Sequence, residues 1–325
     1  MQFDAQKASA GSEGPEESDG HPGNPGIALD PEWIGKVRVD EGEVQEQAAA
    51  LEARNTLAAA DRANWLLKAV SCIDLTTLSG DDTPERVRKL CAEARNPIPP
   101  EILEGLGVPS LELTTAAVCV YHEMVETALE SLEGSGIPVA TVSAGFPHGL
   151  SPLPVRLAEI EASVAIGAHE IDTVLPRYLV LAGEWEELYG QISAYREACG
   201  EVHLKTILST GELGSMENVY KTSLVCMMAG ADFIKTSTGK EKVNATLPVG
   251  LTMARAIQEY GQRTDHQVGL KPAGGIKTAE EALTWFGLMR EELGDPWTDP
   301  NLFRFGASSL LGNLRRELEE LASKG

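Results

Sequence analysis

Eight short apolar runs punctuate the chain between residues 69 and 305, and stretches of helical periodicity separate most of them. The runs fall at 69–75, 115–121, 138–143, 170–175, 203–208, 232–236, 268–271 and 302–305, and their composition favours strands. The stretches at 155–166, 185–199, 216–228 and 279–289 repeat their apolar residues at helical spacing. Strands joined by helix-length connections pair in parallel, because each crossover has to return to the same end of the sheet. Eight is the number at which such a sheet closes on itself, so the alternation predicts a (β/α)8 barrel over residues 65–325. An open doubly wound sheet is the competing arrangement, but no glycine fingerprint for a dinucleotide comes after the first run.

Ahead of the barrel, residues 1–27 are rich in Gly, Pro, Ser and Glu and predict a disordered acidic tail, with too little apolar surface to offset the entropy of ordering. Residues 28–64 mix acidic and apolar positions and predict a helical extension. The chain carries 27 basic against 49 acidic side chains, a formal charge of −22, which argues against nucleic acid as a partner. No apolar run reaches the roughly 18 residues of a membrane span, and no basic-then-apolar leader opens the chain. Cys72, Cys91, Cys119, Cys199 and Cys226 show neither zinc nor disulfide spacing, which is the usage of a reducing compartment. The expectation is a cytoplasmic protein acting on a small molecule, with assembly into a homo-oligomer left open.

Polar residues inside the apolar runs point to chemistry. Asp172 lies in the fourth run, Lys205 in the fifth, Lys235 in the sixth and Lys271 in the seventh. In a barrel these side chains converge near the axis, where an isolated ammonium is expensive and survives only if paired or functional. A structural ion network is the competing explanation. Three cations against one carboxylate speak against it, because a purely structural network tends towards balance. The asymmetry has a chemical use: a second ammonium and burial both disfavour protonation of an amine that must attack a carbonyl. These residues alone do not say which lysine attacks.

Loops supply a second constellation. Gly274-Gly275 comes after the seventh run, and Ser308-Ser309 comes after the eighth and opens a helix. Exposed amides and a helix N-terminus after strands seven and eight are the usual phosphate site of this fold. Asp74 and Thr76 end the first run and either order the lysines or cap the next segment; Cys119 reads as a small core residue.

Taken in order, I-D-L-T-T-L, A-V-C-V-Y, F-P-H-G, E-I-D, L-K-T-I-L-S-T-G-E-L, D-F-I-K-T-S-T-G-K, G-L-K-P-A-G-G-I-K-T and F-G-A-S-S-L-L resemble the 2-deoxyribose-5-phosphate aldolase family, in its longer branch. The resemblance runs from about residue 65 to about 311. It implies a class I aldolase that needs no metal or other cofactor and splits 2-deoxy-D-ribose 5-phosphate into acetaldehyde and D-glyceraldehyde 3-phosphate, in deoxyribonucleoside breakdown. It matches Lys235 to the Schiff-base lysine, Lys271 to the neighbour that lowers its basicity, and Asp172 to the proton-relay acid. Lys205, Asp74, Thr76 and Cys119 match the supporting network, and Thr238, Gly239, Gly274, Gly275, Ser308 and Ser309 match the phosphate positions. Some members close with a tyrosine that assists proton transfer; here none occurs after Tyr260, which leaves that step to Asp172 and water. An aldolase for a keto donor, or a barrel that only binds a sugar phosphate, are the alternatives.

Overall fold

The computed structural model describes residues 23–54 and 61–324. Helices α1 (Pro31–Lys36), α2 (Glu41–Arg54) and α3 (Arg62–Ser71) come first. The strands are β1 (Ile73–Thr76), β2 (Ala117–Tyr121), β3 (Val139–Ser143), β4 (Glu170–Val174), β5 (His203–Ile207), β6 (Phe233–Lys235), β7 (Gly269–Lys271) and β8 (Phe305–Ala307). Their connections carry α4 (Pro84–Arg95), α5 (Pro100–Gly105), α6 (Val125–Leu132), α7 (Leu153–Ala165), α8 (Arg177–Ala182), α9 (Trp185–Cys199), α10 (Met216–Met228), α11 (Leu247–Thr264) and α12 (Ala279–Glu292), and α13 (Leu310–Ala322) comes after β8.

Every strand pair is parallel, in the order β7-β6-β5-β4-β3-β2-β1-β8. The seam between β7 and β8 closes the barrel. There Leu270 N–H donates to Leu302 O at 2.9 Å, and Gly306 N–H donates to Pro272 O at 2.9 Å. Alternation along each strand divides the side chains. Ile73, Val118, Ile171, Leu204, Ile234 and Leu270 point out into the apolar layer under the helices. Their neighbours Asp74, Asp172, Lys205, Lys235 and Lys271 are equally buried and point the other way, into the barrel.

Two expected strands shift. Residues 69–71 are the last turn of α3, because Leu66, Leu67, Ala69 and Val70 form one continuous buried helical face and the strand starts only at Ile73. The last strand begins at Phe305 rather than at 302, since Phe303 makes only an isolated bridge to Leu270.

Residues 1–22, most of the segment expected to be disordered, lie outside the described residues. Its last part departs from that expectation: Asn24 is buried against the entry to β6. Its Nδ2 donates to Met227 O at 2.8 Å and Ala231 O at 2.9 Å, its backbone N–H donates to Asp232 Oδ1 at 2.7 Å, and Tyr260 donates to its Oδ1 at 3.1 Å. Ile27 N–H adds a bond to Met228 O at 2.8 Å. The docking is polar, so an apolar-area argument misses it. Beyond it α1 seats Trp33 on Tyr260, with ring centroids 6.4 Å apart, and Trp33 Nε1 donates to Glu259.

Asn24→Ala strands several buried groups at the end of the barrel away from the strand C-termini. It should lower unfolding free energy by about 2 kcal/mol and leave turnover unchanged. Denaturant melts and kcat of the purified variant check this; a wild-type melt would show that the contacts are idle.

Candidate active site

Register puts the inward side chains in layers. Asp172 pairs with Lys205 across β4 and β5, and Lys235 pairs with Lys271 across β6 and β7. Partners in a parallel ladder point to the same side, so two amines are forced together where β6 and β7 end. Gly269 helps to make room: a Cβ there would come within 2.3 Å of the Phe233 ring, which lies beneath the charged groups.

Asp172 is the hub. Its Oδ2 accepts from Lys235 Nζ and from Lys271 Nζ, each at 2.7 Å, and Lys205 Nζ stands 3.4 Å from its Oδ1. Lys271 has a second carboxylate, Asp74 Oδ2, at 2.5 Å. Arg304 then bridges two strands, donating through Nη1 to Asp74 Oδ1 at 2.7 Å and through Nη2 to Glu170 Oε1 at 3.1 Å. Glu170 pairs with Lys205, which closes a ring of ion pairs. Lys235 hangs from this ring by one shared contact. It keeps 2% of its surface accessible, whereas Lys205 and Lys271 keep none.

The ring also sets the electrostatics. Burial alone would raise the Asp172 pKa, but the charges of Lys235, Lys271 and Lys205 outweigh it and hold the carboxyl well below its ordinary range. Asp74 is lowered in the same way by Lys271 and Arg304, and Glu170 by Arg304 and Lys205. Burial would lower Lys271, yet Asp172 and Asp74 override it and raise its pKa, so its ammonium is fixed. Contacts to Asp74 Oδ2 and Asp172 Oδ1 are close without being directed hydrogen bonds, so both oxygens keep unused acceptor capacity.

The sequence shows three lysines against one strand carboxylate; the structure corrects this to four cations and three carboxylates. Arg304 and Glu170 are new, and Asp74, left open between ordering the lysines and capping, joins them. Glu170 was legible as the residue two before Asp172, hence on the same face of the strand. Thr76 donates through Oγ1 to Asp74 O at 2.7 Å and so serves the β1 backbone, making no lysine contact among the hydrogen bonds of the described residues. Cys119 is the register partner of Thr76 and of Ala140; burial pushes its thiol pKa up. With Leu78, Ala140 and Val142 it forms an apolar wall inside the barrel.

The loops also converge. Ala273 bridges Gly306, and Ala245 N–H returns from the β6 connection to Ala273 O at 3.3 Å. Gly274 has φ +77°, and a Cβ there would lie 2.8 Å from the Asn244 side chain, so the close approach requires glycine. Gly275, Ser308 and Ser309 are exposed, and Ser309 sits at the N-cap of α13 without using its hydroxyl there. Gly239 is exposed with φ +81°. Thr238 differs: its N–H and its hydroxyl are both taken by the Glu241 carboxylate, at 3.1 and 2.6 Å.

The family model of the DeoC/LacD family aldolases matches residues 68–310. The chain is 54% identical over 295 residues to the deoxyribose-phosphate aldolase of Mus musculus, covering 90% of this chain and 93% of that one. Identity to the Homo sapiens deoxyribose-phosphate aldolase is 52% over 297 residues, 91% and 93% of the two chains. Among solved structures, a putative deoxyribose-phosphate aldolase of Toxoplasma gondii in its apo form superposes with a TM-score of 0.68 at 21% identity, covering 82% of this chain and 99% of that one. At that identity the likeness speaks for the fold alone.

The carboxylates make a pH prediction. Their folded pKa values lie below the unfolded ones, so their stabilisation is present above about pH 4 and is lost as pH falls through the folded values. Asp74→Asn should cost about 3 kcal/mol at pH 7, and the gap to wild type should shrink below pH 4. Unfolding at pH 7 and pH 3 measures it; a gap independent of pH would contradict the depressed carboxyls.

Proposed function

The chain belongs to the DeoC/LacD aldolase family, and we propose that it cleaves 2-deoxy-D-ribose 5-phosphate into acetaldehyde and D-glyceraldehyde 3-phosphate through an imine on Lys235. The observation that carries this is the single oxygen, Asp172 Oδ2, 2.7 Å from two amines of which only Lys271 holds a second carboxylate. Lys271 is committed as an ammonium. Lys235 has only the shared contact to Asp172 to release, and it is the lysine with accessible surface. Attack consumes a neutral amine, and the fixed charge of Lys271 beside it opposes reprotonation.

Atoms and charge balance at every step. Lys235 Nζ adds to C1 of the open-chain sugar, and the carbinolamine takes up one proton and loses water to give a protonated imine; that proton is given back when water hydrolyses the last iminium. The C3 hydroxyl gives its proton through water to Asp172 as the C2–C3 bond breaks, its electrons flow to the imine nitrogen, and glyceraldehyde phosphate departs. Asp172 accepts at the moment its neighbour changes from iminium to neutral enamine, so one of the three charges that hold its pKa down disappears as the proton arrives. Returning that proton to C2 restores the iminium, and water releases acetaldehyde and the free lysine. Two carbons are all that must fit between Lys235 and the wall of Cys119, Ala140 and Val142.

Phosphate recognition falls to Gly274, Gly275, Ser308 and Ser309, where glycine amides and the N-terminus of a thirteen-residue helix meet. In a chain of net charge −22 an anion needs such local donors. Gly239 adds an exposed amide in the loop after β6, and Thr238 joins only after Glu241 lets go. Lys205 and Asp74 hold the ring, with Thr76 and Cys119 beside it. Residues 28–54 and 61–64 are read as an extension packed on one barrel domain. We place the reaction in the cytoplasm, in deoxyribonucleoside breakdown; five buried free thiols support a reducing compartment. Exposed Tyr178 and Leu181 on α8, with exposed Leu150 ahead of α7 and Val155 in it, support a homo-oligomer.

Lys235→Arg should lower turnover of deoxyribose phosphate a thousandfold or more, on the order seen when a nucleophile is removed, because a guanidinium stays protonated. Release of glyceraldehyde phosphate in a coupled assay measures it, and residual activity near wild type would reject Lys235. Ser308→Asp should raise KM for the phosphorylated sugar about tenfold by repulsion and leave unphosphorylated deoxyribose unaffected. Equal effects on both sugars would move the phosphate elsewhere.

A further inference from the structure

Among the described residues Arg304 and Glu170 make no hydrogen bond or ion pair with Lys235, yet both are buried within the ring of charges. Arg304 is held from three sides: by Asp74 from β1, by Glu170 from β4, and by Pro300 O, which accepts from its Nε. Its guanidinium stands 5.7 Å from the Phe233 ring centroid, and Lys205 Nζ stands 5.9 Å from the same ring. A buried pair of this kind is a weak reason for stability, since apolar residues of similar size often serve as well. The count of charges gives a better reason. With every group ionised, Asp74, Glu170 and Asp172 face Lys205, Lys235, Lys271 and Arg304, so one positive charge is left over. Without Arg304 the cluster is neutral with Lys235 counted as an ammonium, so no excess charge opposes its protonation.

We propose that Arg304 is a positioning residue of the reaction. Through Asp74 it fixes Lys271, and together with Glu170 it sets the excess positive charge that makes Lys235 available as a free amine. The inference rests on the imine assignment to Lys235. Asp74 is the link: one oxygen faces Arg304 at 2.7 Å and the other faces Lys271 at 2.5 Å, so losing the guanidinium frees the carboxylate to swing towards the lysine. Three further titratable groups face this set: Cys119 inside the barrel, Cys72 beside Arg304, and His203, which responds to Glu170, Lys205 and Arg304. Burial pushes both thiol pKa values up and lowers that of His203, so all three stay neutral at pH 7 and leave the count unchanged.

The test is imine trapping with acetaldehyde and borohydride across a pH series on the full chain, read by mass. Arg304→Met makes the cluster neutral and should move the half-maximal pH of trapping up by about one unit. Glu170→Gln is isosteric and adds an uncompensated positive charge, so it should move the midpoint down by a similar amount. The double variant restores the excess of one and should return the midpoint to the wild-type value. Arg304→Lys keeps the charge but cannot bridge two carboxylates, so it should keep the midpoint while kcat drops several-fold. A merely structural role would lower melting temperatures without opposite shifts. Midpoints that stay at the wild-type value, or move the same way in Arg304→Met and Glu170→Gln, overturn the proposal. If Arg304→Met does not fold, Glu170→Gln and Arg304→Lys still decide it. A wild type that traps no acetaldehyde at any pH overturns the imine assignment and this inference with it.

Discussion

Three ammonium groups crowd one carboxylate in the middle of the barrel, and the rest of the molecule is arranged so that this is tolerable. Asp172 takes Lys235 and Lys271 on one oxygen and has Lys205 near the other. Moving four cations and three carboxylates out of water is costly, and a broken pair leaves an uncompensated charge. The cost is offset because nearly every member has two partners of opposite charge across the barrel: Glu170 and Asp172 for Lys205, Asp74 and Glu170 for Arg304, Asp74 and Asp172 for Lys271. Lys235 is the exception, with Asp172 as its one partner in the ring.

A closed parallel barrel suits this arrangement for a simple reason. Period-two alternation sends every second side chain to the axis, and register fixes which of them meet. The apolar layer outside, from Ile73 through Leu270, supplies the burial that holds the strands, so the inside is free to be polar on one wall. The opposite wall, from Leu78, Cys119, Ala140 and Val142, stays apolar. A two-carbon fragment attached to Lys235 would meet that wall while its nitrogen faces Asp172. Meanwhile the loops after β7 and β8 bring amides and a helix end to the mouth, where a phosphate would lie.

Much of this was legible in the sequence because it depends on outliers. Lysine inside an apolar run is rare, and three such lysines in consecutive runs leave few readings. The alternation of runs and helical stretches was equally plain, since strands buried on both faces read as short apolar segments. What escaped was relational. Arg304 lies between Phe303 and Phe305, and nothing local says that its guanidinium reaches β1 and β4 at once. Glu241 takes the donors of Thr238 through a loop contact that spacing does not specify. Asn24 docks by buried hydrogen bonds to the carbonyls of Met227, in the last turn of α10, and of Ala231 just beyond it, so the polar composition around it suggested disorder where a contact forms.

The claim on which the account rests is that the amine with one shared carboxylate becomes the covalent centre, while the amine with two remains a cation. A crystal structure of the enzyme reduced by borohydride in the presence of acetaldehyde tests it atom by atom. The account predicts an ethyl group on Lys235 Nζ, packed towards Cys119 and Val142, with Lys271 still bound to Asp172 and Asp74. An ethyl group on Lys271 or Lys205, with Lys235 left on Asp172, would contradict it.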